Sequence, residues 1–253
     1  MMSRLLRGVF LSAVIWFAAI PGHSAEEEQT QGLRILVYGA TGKVGTHVVD
    51  EALQRGHVVT AVSREPSRIQ QQHQNLTAVA GDLLDSSSIA SLVTDQDVVV
   101  ISVRGIIGKS KNPEDAIQRI AVEKVVKVLR DIGASAPRLI HVGGSGTLEV
   151  EPGVLWADKI PKVFLPKSLE LEIQGQILAL EFLRTVTDVK WSYATPAKNF
   201  TNAERSGVFR IGGDAVLEDA RGKSKISRAD FAVALIDEAE NAEHVHKRFS
   251  VAY

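Results

Sequence analysis

Three glycines spaced three residues apart, Gly39, Gly42 and Gly45, lie in the run RILVYGATGKVGTHVVD from Arg34 to Asp50 and are the residues here best arranged to do chemistry. They separate an apolar stretch that reads as a strand from one with helical spacing. A chain turning this sharply leaves room for a pyrophosphate and lets the helix pack close to the sheet. The amides that open the helix then complement the phosphate charge. The spacing predicts a dinucleotide loop made of Gly39, Thr41, Gly42, Lys43, Val44 and Gly45. A second cue follows the next strand, in Ser63-Arg64-Glu65-Pro66. An NAD site would usually carry an acid at the strand end for the ribose hydroxyls, whereas a guanidinium can pair in fork geometry with the 2′-phosphate of NADP. Ser63 and Arg64 therefore predict NADP(H), with Glu65 weighing slightly against it.

The elements that must hold these residues alternate strand and helix. Strands are expected at Leu33–Tyr38, Val58–Val62, Leu76–Ala80, Asp97–Ser102 and Arg138–Val142. Helices are expected at Val44–Gln54, after an N-cap in Ser86–Ser88, and from Asp115 to Asp131 before Gly133. The Asp97–Ser102 stretch is nearly all β-branched, which suits a strand buried on both faces. Strands separated by helices predict a Rossmann-type α/β fold, a doubly wound parallel sheet with right-handed crossovers. The second half reads as a helix at Glu170–Leu183, a strand at Trp191–Ala194 ending at Thr195-Pro196, a hairpin pairing Gly207–Ile211 with Ala215–Leu217, a helix opened by Ser227 and a last strand at Phe249–Tyr253. These later elements make a small C-terminal extension on the substrate side.

Composition narrows the function classes. The chain has 253 residues, 45% hydrophobic and 23% charged, with a formal net charge of −1. That charge offers no electrostatic footprint for nucleic acid or an anionic membrane surface. With no cysteine, disulfides, thiolate metal sites and cysteine nucleophiles are excluded. The histidines lack ligand spacing, so no metal site is expected. His141 reads as a core residue, and His244 and His246 read as surface residues. At the N-terminus, Arg4 and Arg7 precede the uncharged run Gly8–Ile20 and a small-residue exit at Ser24-Ala25. This is a secretory signal pattern, and the run is shorter than the roughly 20 apolar residues of a comfortable membrane span. The expected organisation is a signal peptide at 1–25, a linker at 26–32 and a nucleotide-binding domain at 33–253, exported to the periplasm or secreted. An uncleaved N-terminus anchoring the domain on the cytoplasmic side is the alternative, and the only membrane attachment foreseen.

GATGKVG, then SREP, then Gly81-Asp82 after the third strand, resembles the atypical short-chain dehydrogenase/reductase family, in its NAD(P)H-binding, NmrA-like branch. Stretches VGGSGTLEVEPG (Val142–Gly153) and KISRADFAVALIDEAE (Lys225–Glu240) extend the resemblance over nearly all of residues 33–253. It implies that Asp82 and Leu83 lie by the adenine, that Ser102, Val103 and Arg104 pass the ribose and phosphates, and that Thr195, Pro196 and Ala197 flank the nicotinamide.

The resemblance breaks at the catalytic position. Standard members use a serine after the fifth strand and, on the next helix, a tyrosine and a lysine four residues apart that move a proton at the substrate oxygen. Ser145 occupies a plausible serine position and is equally well a small residue in a glycine-rich turn. The tyrosine and lysine positions hold Ile173 and Ile177 in the register counted back from Arg184. Lys167, just before the helix, could hold the cofactor or polarise a carbonyl, and reads more simply as a surface cation. Alcohol dehydrogenation by the standard route is therefore disfavoured. An epimerase would need an acid–base pair that the sequence does not offer. Hydride transfer to a small planar acceptor, a quinone or flavin-like molecule, needs stacking and orientation more than a resident acid. Trp156, Phe164 and Phe200 are candidates to line such a pocket. A non-catalytic NADP(H)-binding sensor or interaction protein is the alternative function.

Overall fold

The computed structural model describes residues 32–253, so the expected signal peptide and nearly all of the linker lie outside the described residues. Strands β1 (Arg34–Tyr38), β2 (Val58–Ser63), β3 (Leu76–Ala80), β4 (Val98–Ile101) and β5 (Arg138–Val142) occupy the first half, with helices α1 (Gly45–Gln54), α2 (Ser86–Val93) and α3 (Ile117–Ile132). After β5 come the short strands β6 (Glu149–Glu151) and β7 (Val154–Leu155), then α4 (Trp156–Lys159) and α5 (Lys167–Thr185). The chain ends with β8 (Trp191–Pro196), β9 (Asn199–Thr201), β10 (Arg210–Gly212), β11 (Lys225–Ser227), α6 (Arg228–Asn241) and β12 (Lys247–Ala252).

Eight strands form one sheet in the order β10-β12-β8-β5-β4-β1-β2-β3. All neighbours pair in parallel except β10, which runs antiparallel to β12 at the edge. The strand order reverses between β1 and β4, and in open α/β sheets ligands settle at the strand C-termini beside that reversal. Val98, Val99, Val100 and Ile101 of β4 are all fully buried, because helices cover both faces there. One core joins α1 and α6 to one face, with Val48, Val49, Phe231 and Leu235 at its centre. The other joins α2, α3 and α5 to the opposite face, through Ile89, Val125, Leu129 and Leu183. The fold is thus the expected Rossmann-type doubly wound sheet.

Several local expectations need correction. The N-cap of α2 is Asp85, whose carboxylate accepts from the Ser87 amide at 2.9 Å, and not a residue of Ser86–Ser88. No hairpin joins Gly207–Ile211 to Ala215–Leu217: Arg210, Ile211 and Gly212 pair with β12, and Ala215 bridges to Glu149. The sheet edge offered β10 a longer partner than the local turn did. Helix α5 begins three residues before and ends two residues after the expected limits, running from Lys167 to Thr185. Ser227 does cap α6, its hydroxyl accepting from the Asp230 amide at 3.0 Å. Among the described residues no helix is long and apolar enough to cross a membrane.

Candidate functional site

The glycine loop is shaped by contacts that only glycine permits. Gly39 has φ +80°, in the left-handed region, and a Cβ there would lie 2.2 Å from the Ser102 carbonyl oxygen. A Cβ on Gly45 would lie 2.1 Å from the carbonyl oxygen of Gly39. The loop after β1 is therefore pressed against both the loop after β4 and the start of α1. Val44 caps α1 without any side-chain hydrogen bond. Among the described residues the amides of Lys43, Val44 and Gly45 have no partner, so they are available to an anion. Thr46 secures the loop from behind, donating to the carbonyls of Gly42 at 2.9 Å and Ala40 at 3.2 Å. This cradle fits a dinucleotide pyrophosphate.

Beside it opens a cavity of about 510 Å³, within the usual size range for small-molecule sites. Of the residues expected from sequence, Gly42, Lys43, Val44, Ser102, Val103, Arg104, Ser145 and Pro196 line it. Gly39, Thr41, Gly45, Thr195 and Ala197 do not line it. Ser63 and Arg64 end β2, and Asp82 and Leu83 follow β3, further along the same C-terminal edge of the sheet. Arg64 is exposed and makes no hydrogen bond or ion pair among the described residues. Asp82 accepts from the Leu84 amide at 2.8 Å, a turn that leads into α2, while Leu83 is buried. Cations predominate around the cavity: Lys43, Arg104, Lys198 and Arg228 line it against the single carboxylate of Glu172. Arg104 and Glu172 pair at 2.7 Å, linking the loop after β4 to α5.

The far wall is apolar and aromatic. Trp156, Ile160, Leu169, Ile173 and Phe200 face the cavity. Lys198 stands 4.6 Å over the Trp156 ring, Arg228 stands 5.0 Å over Phe200, and Phe200 packs edge-on to Phe231. The side chain of Phe164 lies outside the described residues.

Ser145 is half-buried at the cavity, and its hydroxyl makes no hydrogen bond among the described residues. Its loop is fixed from below. The Thr147 hydroxyl donates to the Gly144 carbonyl at 2.8 Å, and the buried Arg248 of β12 donates to the Thr147 carbonyl at 2.6 Å and to Asp214 at 2.7 Å. Lys167 does not reach the cavity; it pairs with Glu170 at 2.9 Å in solvent, as a surface cation. On α5, Ile173 lines the cavity and Ile177 does not. The residues four apart that face inward are Glu172 and Gln176, and Leu169 and Ile173.

Two glutamines escaped sequence reasoning. Gln176 of α5 lines the cavity, and its Oε1 lies 3.0 Å from the Tyr193 hydroxyl and 3.2 Å from His141 Nε2. Gln118, in the first turn of α3, is 1% exposed, lines the same cavity, and has no partner for either amide atom among the described residues. Both interrupt buried apolar stripes: Gly175, Ala179 and Leu183 surround the first, Ala121, Val122 and Val125 the second. A polar residue in such a stripe was the available signal. Burial holds His141 neutral, lowering it to about 4. Burial also raises the Tyr193 hydroxyl well above the ordinary tyrosine range. His246 is exposed, as expected, with one ring nitrogen 2.9 Å from the Val189 carbonyl, whereas His244 is half-buried beside Glu238 at 2.7 Å and is not a free surface residue. Among the described residues no three His, Cys, Asp or Glu side chains stand close enough to hold a metal ion.

A doubly wound sheet, a glycine cradle at its crossover and a cavity beside that cradle define a nucleotide-binding α/β protein. The chain belongs to the NAD(P)H-binding family, whose model matches residues 39–242. It is 32% identical over 224 residues to the uncharacterized protein YwnB of Bacillus subtilis, covering 87% of this chain and 98% of that one. Among solved structures it is similar to a candidate exported protein from Burkholderia pseudomallei, with TM-score 0.72, 35% identity, and coverage of 87% of this chain and 100% of that one. It is also similar to a candidate NADH-flavin reductase from Streptococcus pneumoniae, with TM-score 0.73, 27% identity, and coverage of 87% and 99%.

Proposed function

We propose that this protein is an NADPH-dependent oxidoreductase that passes a hydride to a small planar acceptor, a quinone or flavin-like molecule. The observation that carries this reading is the composition of the cavity beside the glycine cradle. Its far wall is apolar and aromatic, and its lining residues include no tyrosine beside a lysine four residues on. When bound, the dinucleotide supplies the hydride. The chain's own residues need only hold it and stack the acceptor against it, and proximity alone can lower the barrier of such a step substantially. Cofactor binding is assigned to the loop Gly39, Thr41, Gly42, Lys43, Val44 and Gly45, with Ser102–Arg104 and Thr195–Ala197 along the dinucleotide and Asp82 and Leu83 at the adenine. The exposed Arg64 favours the phosphorylated cofactor. Ser145 is the candidate to touch the reacting end.

The likeness to a protein described as an NADH-flavin reductase supports a flavin among the acceptors. The N-terminal arginines, the apolar run and the likeness to a candidate exported protein support export. Sequencing the mature N-terminus after cell fractionation tests that part, and an intact Met1 in the membrane fraction would overturn it. For the reaction, the purified protein is incubated with NADPH or NADH and a panel of quinones, flavins and dyes. Acceptor-dependent oxidation, faster with NADPH, is expected. Tight cofactor binding without oxidation by any acceptor would leave a sensor instead.

A further inference from the structure

Gln176 occupies the cavity face of α5, where the standard members of the fold carry a titrating pair, and its surroundings fix which way its amide points. On the protein side Oε1 meets two neighbours, the Tyr193 hydroxyl at 3.0 Å and His141 Nε2 at 3.2 Å. His141 is fully buried, and its other ring nitrogen, Nδ1, has no partner. A neutral imidazole carries one hydrogen. On Nδ1 that hydrogen would be a buried, unsatisfied donor, costing about 1–3 kcal/mol. On Nε2 it has a partner, and only a lone pair is left bare. The hydrogen therefore sits on Nε2, and the atom it meets on Gln176 must be the acceptor oxygen. The Tyr193 hydroxyl is compatible with this orientation, its one hydrogen shared between the Gln176 main-chain carbonyl at 3.1 Å and Oε1 at 3.0 Å. With its oxygen held from behind, the side chain is left with its NH₂ group facing the cavity.

We propose that the Gln176 amide donates a hydrogen bond to a carbonyl oxygen of the bound acceptor, with Tyr193 and His141 as positioning residues that lock its orientation. The proposal rests on the hydride-transfer reading above and names the group that takes over part of the missing tyrosine's work. With a quinone as acceptor, the hydride leaving the C–H bond of bound NADPH would form an O–H bond at one quinone oxygen, leaving NADP⁺, and negative charge would gather on the other carbonyl oxygen, the one the amide contacts. The amide stabilises that charge without giving up a proton, and water supplies the proton that completes the hydroquinone. A donor aimed at developing charge in this way commonly accounts for a large part of a rate enhancement. Gln118 adds a second amide at the same cavity with both of its atoms unpartnered, which matches a ligand bearing more than one polar ring atom. The preferred acceptors are therefore cyclic carbonyl compounds: quinones, or the carbonyl-bearing ring of a flavin.

The test uses Gln176→Glu, which keeps acceptor oxygens for Tyr193 and His141 but removes the donor facing the cavity, with Gln176→Met as a second variant. The probe is 1,4-naphthoquinone, followed by infrared spectroscopy on protein loaded with NADP⁺ and by kcat/KM with NADPH. In the wild type the bound carbonyl band is expected below its position in the free quinone. In both variants that shift should vanish and kcat/KM should fall by about 100-fold, while the NADPH dissociation constant and the melting temperature of Gln176→Glu stay close to wild type. An unchanged carbonyl band in Gln176→Glu overturns the proposal and leaves hydride transfer standing. A wild type that neither binds nor reduces any quinone or flavin overturns the functional reading and the proposal together.

Discussion

The ring of Tyr193 lies directly beneath Gly143: a Cβ on that glycine would sit 2.1 Å from the tyrosine's Cε1. The glycine therefore lets the loop after β5 close over the ring, and the hydroxyl turns toward Gln176 instead of the cavity. Tyr193 is fully buried, and burial holds its hydroxyl protonated through the neutral and mildly alkaline range. It is not placed to exchange a proton with a substrate. Removing a general acid typically costs 10²–10⁴ in rate. Tyr193→Phe should instead lower kcat/KM by less than about 10-fold, the effect of loosening one hydrogen bond, and should leave the pH profile without a tyrosine limb. A loss beyond a hundred-fold would mean that the ring moves to the cavity during turnover.

The glycine cradle gives the second prediction. A methyl group on Gly45 would press within 2.1 Å of the Gly39 carbonyl oxygen, a backbone atom that cannot move away cheaply. Gly45→Ala should therefore open the loop and weaken NADPH binding by at least about 10-fold, equivalent to about 1.4 kcal/mol. Gly39→Ala adds the left-handed backbone cost of about 1–2 kcal/mol, so it should also lower the melting temperature. Calorimetric titration with NADPH and a thermal melt separate the two effects. Unchanged affinity in Gly45→Ala would remove the loop from the binding site.

The proposed preference for NADPH rests on Arg64. Exposed at the end of β2 and without a partner among the described residues, it is available to a 2′-phosphate. Charge-assisted hydrogen bonds of this kind contribute about 1.5–3 kcal/mol. Arg64→Ala should raise the NADPH dissociation constant by about 10- to 100-fold and change that of NADH little. Equal losses for both cofactors would show that Arg64 acts on the fold of the loop and not on the phosphate.

Asp230 ties α6 to the chain end, and its pH response can be read directly. Burial pushes its carboxyl up, but hydrogen bonds from the Tyr253 hydroxyl at 2.6 Å, the Gly207 amide at 2.7 Å and Ser206 outweigh it and hold it below the usual carboxylate range. A group lowered on folding stabilises the native state above its unfolded value of about 3.9, and that stabilisation is lost as pH falls through the lower folded value. The stability gap between wild type and Asp230→Asn should therefore be constant at neutral pH and shrink below about pH 4. Denaturant titrations across that range would reveal a gap that stays flat if the hydrogen bonds do not favour the charged form.

The parts of this architecture that depend on local pattern were legible in the sequence. Alternating apolar runs located β3 and β5 to the residue, and the glycine spacing located the loop, because strand period and turn chemistry are written in neighbouring residues. The parts that depend on distant partners were not. β10 pairs with the chain end 40 residues on, and nothing near Arg210 announces β12. Asp85 displaced the serines as the cap of α2 because its backbone is extended at the helix entrance, a geometry that residue types alone do not specify. At the site, the absence of a tyrosine from α5 was visible, but the role open to Gln176 was not. It depends on His141 and Tyr193, which approach from two different strands.

Under the proposed function, bound NADPH gives its hydride directly to a planar acceptor in the cavity beside the glycine cradle. Single-turnover oxidation of NADPH deuterated at the transferred position, mixed with 1,4-naphthoquinone or a free flavin, tests it most directly. Direct transfer should give acceptor-dependent oxidation that slows on deuteration and persists in Tyr193→Phe. Tight NADPH binding with no oxidation by any quinone or flavin would contradict it.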